Sequence, residues 1–239
     1  MQRRHHGGQA MVEFLIVLPL LLLIILGTLQ FAFIYHAKIT LDYAAFEAAR
    51  AGSLNRLREF AMDNALARGL APLYTHGDSY GQYKQGRDKI RDQIKNGYAM
   101  IAIINPTTAD FSTYGVNEDG KIYIPNDNLI YRGTPADPTG PTVQDANLLK
   151  IQVYYCYELI VPFVNRIIWS MMRYAPSAPM PADLPEVAPK HRFGAPAHGT
   201  FAETCVKTKQ DQDGYFGIPL RAQAIIRMQS PALLPGGGI

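Results

Sequence analysis

Phe14 to Phe33 is an unbroken run of twenty residues without a formal charge. At about 1.5 Å of rise per residue, such a run makes a helix of about 30 Å, the thickness of a bilayer's hydrocarbon layer. A water-soluble fold has little use for that much continuous apolar surface, so this segment commits the chain to a membrane. It exceeds the apolar core of a secretory signal, about 7–15 residues, and no Ala-x-Ala site follows it. Arg3-Arg4 matches a twin-arginine signal in the dipeptide alone. The same two arginines favour a cytoplasmic N-terminus, which puts everything after Lys38 on the far side of the membrane. One residue disturbs the pattern. Glu13 sits in the mouth of the run, where a carboxylate costs about 2.5–3.5 kcal/mol at mid-membrane and less near the interface. It follows Gly8 by five positions. A generic single-pass anchor accounts for the length of the run and leaves the Gly8–Glu13 spacing unexplained.

The helix is expected to continue beyond the bilayer. His36 to Ala51 has no proline or internal glycine and is rich in alanine (Ala37, Ala44, Ala45, Ala48, Ala49, Ala51), which favours helix. Gly52-Ser53 is the expected stop, with Arg50 near the negative end of the dipole. Gln9 to Ala51 therefore reads as one helix, its membrane part about residues 14–35, loosened or kinked at Pro19. The small residues of its outer half allow close approach by other elements.

What remains, residues 52–239, is 188 residues, enough for one domain with its own core. The net charge of +3, from 23 basic and 20 acidic residues without a basic run, does not point to nucleic acid. Two cysteines, Cys156 and Cys205, both fall in the exported part. Oxidising surroundings there, and the lack of a C-x-x-C spacing or a nearby histidine, favour a structural disulfide over a reactive thiol.

Within the domain, Leu54–Leu73 reads as a helix with Phe60, Ala61, Ala65 and Leu66 on an apolar stripe, and Gln85–Lys95 as a polar helix exposed on most faces. Lys121–Ile124 reads as a short strand after the Asn117-Glu118-Asp119-Gly120 turn. Leu148–Val161 is the clearest strand, with Leu149, Ile151, Val153, Tyr155, Tyr157, Leu159 and Val161 on an apolar face and Cys156 on a mixed one. That alternation predicts an antiparallel sheet covered on one side, with the Cys205 segment tied across the mixed face or to a neighbouring strand. A last strand alternates Ile218, Leu220, Ala222, Ala224, Ile226 and Met228 with more polar positions, after a turn at Asp211–Gly214. Between them lie a helix-like piece, Phe163–Tyr174, and a proline-rich loop, Ala175–Pro196. The fold class is α+β: a long N-terminal transmembrane helix, then a small antiparallel sheet with extra helices.

No motif in the domain points to catalysis. Gly77-Asp78-Ser79-Tyr80-Gly81 fits G-x-S-x-G, but a nucleophile elbow needs a strand before it and a helix after it, and helix and loop precede this one. Asp211-x-Asp213-Gly214 lacks the closing glutamate of a calcium loop; position 222 is alanine. The histidines His5, His6, His191 and His198 have no metal-ligand spacing, and neither a P-loop nor a dinucleotide fingerprint is present. No metal and no cofactor is expected. The Ile167–Met172 segment is open to two readings, a helix covering the sheet or a docking or membrane-surface helix with Arg166 and Arg173 at its polar edge.

Gly8-Gln9-Ala10-Met11-Val12-Glu13-Phe14, Pro19 within the apolar helix, and Asp42-Tyr43-Ala44-Ala45 through Glu47-Ala48-Ala49-Arg50-Ala51-Gly52 resemble the TadE-like pseudopilins of tight-adherence (Flp-type) pilus systems. The resemblance implies a type IV pilin-like domain after the helix and a basic leader, residues 1–8, removed between Gly8 and Gln9 by a membrane aspartyl prepilin peptidase. Glu13, residue five of the mature chain, and Phe14 would then serve processing and assembly. It implies as partners other pilins or pseudopilins and inner-membrane assembly proteins. The location implied is the inner membrane with the C-terminal domain periplasmic, or the pilus itself. Phe14, where the major pilins often carry tyrosine, and the large domain fit a minor subunit. The alternatives are an anchored periplasmic scaffold or binding protein unrelated to pili, and an anchored hydrolase, for which no convergent constellation is visible.

Overall fold

The computed structural model describes residues 7–132, 140–174, 201, 205–206 and 215–234. The expected Asp211–Gly214 turn, the Ala175–Pro196 loop, His5, His6, His191 and His198 lie outside them. Helix α1 runs from Gly7 to Leu54 through Pro19 without a break. The Gly52-Ser53 stop is therefore two residues too early. The chain turns instead at Asn55–Arg58, where Arg56 and Leu57 take positive φ of 56° and 60°. The end of α1 is held from outside: the Ser53 carbonyl accepts from the backbone N–H of Gln229 (3.1 Å) and Ser230 (3.0 Å) and from Ser230 Oγ (2.8 Å). Those bonds satisfy a carbonyl that a glycine stop would otherwise leave to solvent.

Helix α2, expected over Leu54–Leu73, spans Glu59–Leu70, followed by a 3₁₀ turn over Ala71–Tyr74. Helix α3 spans Tyr80–Lys95, longer than Gln85–Lys95 because Ser79 caps its start by accepting from the Gln82 N–H. It is less exposed than its composition promised, with Ile90 and Ile94 in the core. Strand β1 (Ala99–Asn105) is absent from the sequence reading, as are α4 (Thr108–Tyr114), β2 (Val116–Glu118) and α5 (Val143–Ala146). Both short helices start with a threonine–aspartate capping box, Thr107/Asp110 and Thr142/Asp145. Strand β3 (Lys121–Ile124) follows the expected turn, with Asp119 and Gly120 both at positive φ.

Strand β4 (Leu148–Glu158) is the centre of the main sheet, ordered β1-β4-β5 and antiparallel throughout. It ends three residues before the expected Val161. Helix α6 spans Val164–Tyr174. Strand β5 spans Gly217–Arg227, and β6 (Ala232–Leu233) closes a second small sheet, β2-β3-β6. The fold is α+β.

The expectation of a sheet covered on one side is corrected: β4 is buried on both faces from Ile151 to Tyr157. Leu149, Ile151, Val153 and Tyr155 share a core with Ala222 and Ala224 of β5 and with Ala37, Leu41, Ala44, Ala45, Ala48 and Ala49 of α1. The other face carries a second cluster of Tyr98, Met100, Tyr154, Cys156, Phe201 and Cys205. The cover on the mixed face includes Phe201 and Cys205, in keeping with the expected tie of the Cys205 segment across that face.

Candidate functional site: the N-terminal helix and its seat

Along α1 the environment changes once. From Met11 to Leu29 the side chains are largely exposed, and the apolar window within Met11–Leu54 has none of its surface buried by the rest of the protein. That helix is long and apolar enough to cross a membrane. Gly8 and Gln9 lie in its first turn. Glu13 follows one to two turns later, about 7.5 Å along the axis from Gly8, with its side chain exposed beside the equally exposed Phe14.

The seat begins at Gln30, which sequence reasoning did not single out. This amide is completely buried, and its Oε1 accepts from the Val161 backbone N–H at 2.9 Å. The signal was present as the one amide inside the apolar run. It stands about 25 Å from Glu13 along the helix axis. Above it, α1 offers a face of alanines, and α2 crosses so closely that a Cβ on Gly69 would lie 2.6 Å from the Ala44 Cβ and 2.7 Å from its Cα. The small residues do what their composition implied: they let a second helix and a sheet approach α1 backbone to backbone.

The Cys156–Cys205 pair is bonded, with the Cα atoms 5.5 Å apart. Gly217 makes room for it, since a Cβ there would come within 2.6 Å of Cys156 Sγ. The bridge joins β4 to the segment that covers its second face.

A partly buried polar cluster ties α3 to β4. Tyr74 Oη and Tyr155 Oη are 2.7 Å apart. Gln93 Nε2 donates to Tyr74 Oη (3.1 Å) and to Glu158 Oε1 (3.4 Å). Lys89 Nζ stands 3.7 Å from Glu158 Oε2 and 4.1 Å from the centre of the Tyr74 ring. Burial, and next the Glu158 charge, push the Tyr74 hydroxyl up to about 12; burial holds Tyr155 well above its ordinary value. Both hydroxyls stay protonated at neutral pH, so neither is a ready base, and the cluster works as a polar clamp between helix and strand. Ser79 spends its oxygen on the α3 cap and lies between two helical elements, not on a strand-to-helix elbow. Among the described residues, no group of three or more His, Cys, Asp or Glu side chains stands together as a metal site would require.

Helix, seat and domain together define a class: an α+β domain carried on a single helix whose apolar half is bare. Residues 8–50 match the family model described as TadE-like protein, and the N-terminal segment of this chain is TadE-like. The match bears out the TadE-like resemblance over residues 8–50. No curated protein and no solved structure matches the chain.

Proposed function

We propose that the chain is a non-enzymatic pseudopilin or minor pilin of a tight-adherence pilus system, made with a leader of residues 1–8 that prepilin peptidase removes after Gly8. In this reading α1 anchors the protein in the inner membrane and residues 52–239 form a periplasmic, pilin-like domain. Other pilins and the inner-membrane assembly proteins are its partners.

The observation that carries the reading is the division of α1. The side chains of its inner half are largely exposed and open to lateral packing, while its outer half is built into the domain's core. A subunit that must pack helix against helix with its neighbours needs that division. After cleavage Glu13 lies four residues from the new amino terminus. A carboxylate at the membrane edge is costly unless paired, and the α-amine of an adjacent subunit is a suitable partner.

The test is Glu13→Gln in the native host. The variant is expected to insert and be processed as wild type does, yet fail to support pili. Wild-type piliation by Glu13→Gln contradicts the pairing role and favours a carboxylate that merely reaches the headgroups.

A further inference from the structure

We infer that the domain makes a second contact with the bilayer, on the outer side, through the turn at Ile160–Phe163 and the adjoining face of α6. The argument starts from Gln30. Glu13 and Gln30 are separated by about 25 Å along α1, so with Glu13 at the inner edge of a hydrocarbon layer of about 30 Å, Gln30 lies within about 5 Å of the outer edge. The residue bonded to Gln30 is Val161, which fixes the β4–α6 turn at that same depth. The neighbours of Val161 are apolar and turned away from the protein: Ile160 is 66% exposed and Phe163 74%. Phe163 holds this outward position with a φ of +64°, a conformation that costs a bulky residue energy and is kept only where the surroundings demand it.

The exposed apolar surface then runs into α6. Phe163, Ile167 and Met171 recur every four residues and make one stripe, with Met171 66% exposed. Val164 and Trp169 face inward, and Trp169 is locked by its indole N–H donating to the Val206 carbonyl at 2.8 Å. Arg166 flanks the stripe, its guanidinium 5.9 Å from the centre of the Phe216 ring. An apolar stripe with a cationic flank, continuous with a membrane-crossing helix at headgroup depth, is the pattern of a helix lying in the interface. Both readings of Ile167–Met172 therefore hold: the inner side of α6 packs on the domain, and its outer side meets lipid.

The inference rests on α1 crossing the membrane, and the experiment separates the two. The full chain carrying Trp169→Phe, so that no other indole contributes, is reconstituted in phosphatidylethanolamine–phosphatidylglycerol vesicles with or without brominated acyl chains. A single tryptophan is placed in turn by Phe163→Trp, Met171→Trp, Leu22→Trp and Ile225→Trp. Leu22→Trp reports on α1; Ile225→Trp, on the exposed edge strand, reports on bulk water. Phe163→Trp and Met171→Trp are expected to emit at short wavelength and to lose emission with brominated lipid, as Leu22→Trp does, while Ile225→Trp does not. Quenching at Leu22→Trp alone overturns the inference and leaves the anchor standing. Loss of quenching at Leu22→Trp as well overturns the anchor. Short-wavelength emission at position 163 that brominated lipid leaves unchanged also overturns the inference, because protein, either this chain or a second copy, then covers the stripe.

Discussion

Asp63 shows how one side chain can work against the fold that holds it. It lies on α2 one turn after Glu59, and one carboxylate oxygen is buried without a hydrogen-bond partner among the described residues. Burial, and secondly the Glu59 charge, push its pKa from 3.8 up to about 6. A raised carboxyl pKa means that the folded state binds the proton more tightly than the unfolded one. The fold is thus favoured at low pH and loses that advantage as pH rises from about 4 to about 6. A shift of this size corresponds to at most about 3 kcal/mol; partial exposure and screening reduce it to on the order of 1 kcal/mol. Asp63→Asn is expected to stabilise the detergent-solubilised chain by about that amount at pH 7, with the gain vanishing below about pH 4. Unfolding of both proteins across that pH range checks it; a gain independent of pH contradicts the titration.

At the scale of elements, the contact between α1 and α2 depends on the absence of a side chain. Gly69→Ala would drive a methyl into the backbone of Ala44, and overpacking of this kind costs about 1–3 kcal/mol. A lowered unfolding midpoint is expected, with Ala44→Gly in the same chain restoring part of it; an unchanged midpoint means that the helices do not meet there. The disulfide is the other tie between elements. Its separation of 49 residues corresponds to about 4 kcal/mol of restricted unfolded chain in the entropy model. Mass spectrometry of the purified, non-reduced protein is expected to find Cys156 and Cys205 joined, and two alkylatable thiols would contradict it. Elements with a strong period are legible in the sequence. α1, β4 and β5 each announce themselves through a long apolar run or strict alternation, and each was placed to within a few residues. β1, whose Ala99-Met100-Ile101-Ala102-Ile103-Ile104 is apolar without alternation, carries no such signal. The short helices α4 and α5 are set by capping boxes at Thr107 and Thr142, which local sequence holds but a search for periodicity passes over.

Across the whole molecule, the sequence reads a long apolar helix and an α+β domain as successive units and understates how far they share one structure. The outer half of α1 is a core element of the domain, and Gln30, which looks like a blemish in an apolar run, is the lowest bolt between them. Such a contact joins residues 131 positions apart, and no local pattern reports it. The candidate site rests on a local signal instead: Gly8, Gln9, Glu13 and Phe14 sit within seven consecutive positions, and their proposed roles come from the resemblance those positions carry. The account's central claim is that this segment is a processing and assembly signal, and the N-terminal sequence of the mature protein tests it most directly. In cells with a prepilin peptidase the mature chain is expected to begin at Gln9, and Gly8→Leu, which puts a bulky side chain at the bond to be cut, is expected to keep the leader. A wild-type protein that still begins at Met1, or that loses its leader in cells lacking the peptidase, would contradict the account.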